Sequence, residues 1–168
     1  MKSLFAGALA GLIATVPMTA VMALGHRFLL PPRERYDLPP RQITLRTVEK
    51  TGVDVSRDLN ENERRAATLI AHYGFGAAAG ALYAAAPRIL GRERHPDAAG
   101  VGWGLAVWAG SYQGWLPAAK ILRPATEQPA RRTLLMIGAH VVWGAVLGIA
   151  ADWLTRPGDG ASGGPTDL

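Results

Sequence analysis

Four stretches of the chain, Leu4 to Gly25, Ala66 to Ala86, Ala98 to Ala119 and Leu134 to Ala151, contain no Asp, Glu, Lys or Arg, and each is about 18 to 22 residues long. About 20 helical residues, rising about 1.5 Å apiece, cross the roughly 30 Å hydrocarbon layer of a bilayer. The pattern predicts an all-α fold, a four-helix transmembrane bundle. Its spans are expected at about 4–25, 66–86, 98–119 and 134–154, within one domain covering residues 1–157. Averages conceal this, because the 18% of residues that are charged sit between the apolar blocks and hold the mean hydropathy close to zero. The competing architecture is a soluble Ala/Gly-rich bundle, since alanine-rich helices can be amphipathic instead of lipid-facing. The first apolar run outlasts the h-region of a signal peptide, about 7 to 15 residues, and reads as a retained span. The tail, 158–168, is rich in glycine and small polar residues and reads as disordered.

Charge narrows the partners. A net charge of +5 and a pI near 10.1 raise nucleic acid as a possibility, but nine of the eighteen basic residues lie in the segment after the first span, among seven acids. The arginines read as groups at the surface of a lipid bilayer, the expected partner, and no nucleic acid is expected. Loops one and three carry 13 Lys/Arg against 5 in the termini and loop two. The positive-inside rule then puts the loop 31–65 and the loop before the fourth span in the cytoplasm, and both termini outside. A multi-pass membrane location follows, with a homodimer possible because four short helices enclose little volume. The chain has no cysteine, which removes disulfides and thiol chemistry together.

The chain also repeats itself. Ala71-His72-Tyr73-Gly74-Phe75-Gly76-Ala77-Ala78-Ala79-Gly80 and Ala139-His140-Val141-Val142-Trp143-Gly144-Ala145-Val146-Leu147-Gly148 share Ala-His, an aromatic residue, Gly-Ala and a final Gly. Gly7 to Leu12 likewise parallels Gly100 to Leu105, Leu29-Leu30-x-Pro32 parallels Ile121-Leu122-x-Pro124, and Arg64-Arg65 parallels Arg131-Arg132. Spans one and two therefore repeat as spans three and four, giving two parallel two-helix repeats. Small residues four apart let helices approach closely, so Gly7, Gly11, Gly76, Gly80, Gly100, Gly104, Gly144 and Gly148 are the expected packing residues.

His72 shares the helical face of Gly76 and Gly80, and His140 that of Gly144 and Gly148, so both imidazoles should point at protein. Each lies six residues beyond the charged end of its span, roughly 9 Å into the hydrocarbon. Counting from the other ends brings Thr19 and the Ser111-Tyr112-Gln113 run to the same height. The expected polar layer is Thr19, His72, Ser111, Tyr112, Gln113 and His140. Its first reading is interhelical hydrogen bonding, each bond worth about 1 kcal/mol. Behind that stand a proton, ion or small-solute site of a small transporter or channel and bis-histidine haem ligation. Pro17 should kink the first span near Ile13 to Pro17, and a break in the third should fall at Gly114 to Pro117. Arg41 to Lys50 should form a short helix at the membrane face. Trp103, Trp115 and Trp153 fit interfacial belts. No catalytic triad, zinc motif or phosphate loop is present in a plausible context, so no enzyme, metal or resident cofactor is expected.

The order His72-x-x-Phe75, Gly80-x-x-Tyr83, Gly100-x-x-x-Gly104, Pro117 and Ala139-His140-Val141-Val142-Trp143 resembles the YagU-like family of uncharacterised bacterial inner-membrane proteins, over about residues 71–148. The resemblance implies an inner-membrane location and no established activity. Where it would place another histidine before the proline of the third span, this chain has Ser111-Tyr112-Gln113, so no three-histidine site is expected.

Overall fold

The computed structural model describes residues 2–86 and 95–155. Residues 87–94, in the loop expected between the second and third spans, and the tail 158–168 lie outside the described residues. Among those described the fold is all-helical: α1 (Lys2–Phe28), α2 (Pro39–Glu49), α3 (Val55–Asp58), α4 (Glu61–Ala85), α5 (Pro96–Ala109), a π turn (Gly110–Trp115), α6 (Leu116–Ala118) and α7 (Ala130–Thr155). Ser3–Phe28 and Ala130–Thr155 are long and apolar enough to cross a membrane.

Helix ends follow from local chemistry. Asn60 and Glu63 form the reciprocal cap that their spacing suggests: Asn60 Oδ1 accepts from the Glu63 amide at 3.0 Å and Glu63 Oε2 from the Asn60 amide at 2.7 Å. Asp54 caps α3 by accepting from the amides of Ser56 and Arg57. α2 starts on Pro39, where a missing N–H costs nothing. Gly52, with φ of 91°, turns the chain after it in a conformation that suits glycine. α1 runs unbroken through Pro17. Thr15 and Thr19 return their hydroxyls to the carbonyls of Gly11 and Thr15 at 2.8 and 2.7 Å, so both hydroxyls are satisfied within the helix.

Two antiparallel pairs make the body, α1 with α4 and α5 with α7, and they join where α1 lies along α7. Backbones meet at the glycines. A Cβ on Gly11 would strike the carbonyl of Gly76, and one on Gly7 the carbonyl of Gly80. In the other pair a Cβ on Gly100 would strike the carbonyl of Gly144, one on Gly104 that of His140, and one on Gly148 that of Pro96. Gly25 of α1 instead makes room for the Leu135 side chain of α7. The core fills the middle with Ala10, Ala14, Met18 and Met22 from α1, Tyr83 from α4, and Met136, Ala139, Trp143 and Leu147 from α7.

The polar segment after α1 is docked. Arg132, buried in α7, donates to the carbonyls of Glu34, Tyr36 and Asp37 at 2.7, 3.1 and 2.8 Å, and its guanidinium lies 3.6 Å from the Tyr36 ring centroid. Arg46 of α2 donates to the Ile121 carbonyl at 2.6 Å. The short helix is Pro39–Glu49, and its Ile43 packs against the core. The paired arginines also bind protein: Arg132 holds the loop, Arg64 reaches the carbonyls of Leu59 and Ser56, and Arg65 pairs with Glu61. The partners of Arg132 and Arg46 lie 95 or more and 75 residues away, beyond the reach of any local pattern.

Candidate functional site

The small residues that bring α1 to α4 and α5 to α7 leave the other two neighbours, α4 and α5, to meet only toward one end. There Trp103 of α5 donates its indole N–H to the Ala79 carbonyl at 3.1 Å, and its ring lies 6.1 Å from that of Tyr83. Trp103 is thus an interhelical strut. Toward the other end the helices part around a cavity of about 520 Å³. Its far end is roofed by α2 through Ile43, Thr44, Thr47 and Val48. Ile70 and Phe75 of α4 and Trp115 of the π turn line it while being 74%, 47% and 44% exposed, so its mouth opens sideways between α4 and the π turn.

Both imidazoles line this cavity, with Thr15, Ser111, Tyr112 and Trp143. His140 is buried, and its Nδ1 is 2.8 Å from the Met136 carbonyl. A carbonyl only accepts, so Nδ1 carries the proton and Nε2 of the neutral ring is an acceptor. The Tyr112 ring stands edge-on to it at 6.0 Å and stacks on Trp108 at 6.3 Å. His72 is half-buried, and its Nε2 is shielded from solvent with no hydrogen-bond partner among the described residues. Ser111 Oγ accepts from the Trp115 indole at 3.3 Å.

Two members of the expected layer sit elsewhere. Gln113 is exposed, because the π turn adds about a residue to the helical turn and carries Ser111, Tyr112 and Leu116 inward while Gln113 faces out. The irregularity itself lies at Gly110–Trp115, a turn before the expected break, and keeps the helix bonded. Thr19 lines a second cavity, of about 490 Å³, with His26, Asp37, Arg41 and Arg65. Its place among the inner groups is taken by Thr15, one turn earlier on the same ridge, which accepts from the Trp143 indole at 3.3 Å. Trp143 and Thr15 were visible only as an aromatic residue in the repeated motif and a step on the glycine ridge. His72 lines both cavities and so stands between an apolar chamber and a charged vestibule.

Ion pairs of α2 and α4 hold the vestibule. Arg41 grips both carboxylate oxygens of Glu61 at 2.8 Å, and Arg65 adds a contact to the same carboxylate at 2.9 Å. These guanidinium hydrogen bonds, Arg41 first and Arg65 next, lower the Glu61 pKa to about 2. Among the described residues no three His, Cys, Asp or Glu side chains converge as a metal site would require.

A family model described as a protein of unknown function, DUF1440, matches residues 18–149, a span that holds both imidazoles, the π turn and the roofing helix. The match agrees with the resemblance to an uncharacterised family carried by residues 71–148. No curated protein and no solved structure matches the chain.

Proposed function

The chain belongs to the DUF1440 family of proteins of unknown function, and from its cavity we infer an integral, multi-pass membrane protein that works as a binding module for a small, largely apolar molecule. Two apolar helices give weak support for a membrane location. The finer reading adds α4 and the α5–π–α6 segment as spans, making four crossings by two parallel hairpins in a bacterial inner membrane. It is supported by the charge-free stretches, by the matching glycine seams and by the gathering of both Arg-rich loops at one end of the bundle. The positive-inside rule makes that end cytoplasmic, with the termini outside.

The observation that carries the binding role is a chamber roofed by α2 at one end, pinned by Trp103 at the other, and open at its flank. A conducting pore needs a route along the bundle axis, which the roof and the strut both obstruct. A transporter that moved either one would still use the same chamber. No group in it is arranged as a nucleophile with its base, so catalysis forms no part of the proposal.

The absence of native cysteine makes the test clean. The protein should stay with carbonate-washed membranes, and an impermeant maleimide should label Thr51→Cys and Glu127→Cys only once the cytoplasmic face is opened. Recovery in the carbonate supernatant, or labelling of the two positions from opposite faces, would overturn the reading.

A further inference from the structure

We propose that the cavity takes a quinone, in its carbonyl or hydroxyl form, which enters sideways from the bilayer between α4 and the π turn. The proposal rests on the binding-module reading and names its ligand. Among the described residues no Lys, Arg, Asp or Glu lines the chamber. A fatty-acid or phospholipid headgroup would bring a charge that nothing there offsets, and burying an unpaired charge is costly. The occupant is therefore neutral.

Its shape follows from the walls. Phe75, Tyr112, Trp115 and Trp143 join the two imidazoles around about 520 Å³, a lining and a volume suited to one flat ring and the start of an apolar tail. Ile70, Phe75 and Trp115 at the open flank present apolar surface to the outside, so a tail can leave into acyl chains while the ring stays within.

The polar groups fit ring oxygens. His140 carries its proton on Nδ1, toward the Met136 carbonyl, and so offers Nε2 as an acceptor for a quinol hydroxyl. His72 Nε2 lacks a partner among the described residues and, with either tautomer open to it, can donate to a carbonyl or accept from a hydroxyl. Ser111 Oγ accepts from Trp115, and its proton has no acceptor among the described residues, which leaves it able to donate to a carbonyl. Groups of this kind on α4, the π turn and α7 can hold a ring through either oxidation level.

Purified full-length protein in detergent micelles is titrated with decylubiquinone while tryptophan quenching is followed, with anthracene as a neutral aromatic without oxygen and haem as the rival. Saturable quinone quenching, weakened about tenfold by His72→Leu and about fivefold by Ser111→Ala with anthracene binding unchanged, is the result expected for lost hydrogen bonds. Helix content by circular dichroism and a monodisperse elution profile show that each variant is folded. Saturable anthracene binding with quinone no tighter, or quinone binding indifferent to both substitutions, overturns the quinone and leaves the binding module standing. Saturation by neither ligand defeats the binding module itself. A Soret band on haem addition that His72→Leu abolishes replaces the quinone with iron ligation.

Discussion

The Trp143 indole of α7 donates to the Thr15 hydroxyl of α1 at 3.3 Å, and the same hydroxyl donates to the Gly11 carbonyl at 2.8 Å. Thr15 also fills the space against Gly76, where a Cβ would strike its Oγ1. One buried hydroxyl therefore ties α1, α4 and α7 together at the wall of the cavity. Thr15→Val keeps the shape but orphans the indole N–H. The expected loss is about 1–2 kcal/mol, read as a lower unfolding midpoint in detergent. Trp143→Phe with Thr15→Val should cost less than the sum of the two, since each removes the same bond.

The glycines divide into two groups by what surrounds them. Gly11, Gly80, Gly100 and Gly148 face backbone atoms of the opposite helix, whereas Gly74, Gly102 and Gly138 have nothing within 4 Å. Alanine at any of the first four must push two helices apart, an overpacking cost of about 1–3 kcal/mol. Alanine at Gly74 or Gly102 should be neutral or slightly stabilising, since it lowers the entropy of the unfolded helix. Thermal midpoints of the two sets check the division, and equal effects would contradict it.

Arg132 is the only described side chain that binds the carbonyls of Glu34, Tyr36 and Asp37 together. Lysine cannot reproduce its planar fork or its stacking on Tyr36. Arg132→Lys should loosen the segment between α1 and α2, and Arg132→Ala should cost about 2–3 kcal/mol. Limited trypsin digestion at Arg33 and Arg35 measures this, with faster cleavage expected in both variants while α1 and α7 stay protected.

The Glu61 carboxylate links α2 to α4 through Arg41. Its pKa is about 2 in the folded protein against an ordinary 4.5. A depressed carboxylate pKa contributes stability that is complete above the unfolded value and is lost as pH falls through the folded one. The α2–α4 link should therefore hold unchanged from neutral pH down to about 4.5, and weaken between there and about 2. Hydrogen exchange in α2 against pH checks this. Glu61→Gln should loosen α2 at neutral pH and flatten that acid dependence, and added salt should mimic it in part because the pair is exposed.

How much of this was legible depends on where each signal lay. The inward turn of His72 and His140 could be read because the glycines that mark the packed face share their helical stripe. That Gly7, Gly11, Gly76 and Gly80 lie where helices touch followed from their spacing, whereas which of them meet did not. Thr15 and Thr19 lie on that same ridge, and only the height at which α1 crosses α7 decides which of them meets Trp143. Gln113 was misplaced because a π turn shifts the register of every residue it carries, and no pattern of period 3.6 contains it. The roof was illegible for a different reason: α2 is weakly apolar by itself, and its position depends on Arg46 meeting Ile121 and Arg132 meeting Glu34 far along the chain.

The most direct test of a lipid-embedded chamber with an open flank compares two single-tryptophan proteins in vesicles of dibrominated phosphatidylcholine. One keeps only Trp115, which lines the mouth and is 44% exposed, and the other keeps only Trp143, which is 2% exposed behind the cavity wall. Strong bromine quenching of Trp115 with Trp143 largely protected is the expected result. No quenching of Trp115, or quenching of Trp143 to the same extent, would contradict a cavity that faces acyl chains at its mouth and protein within.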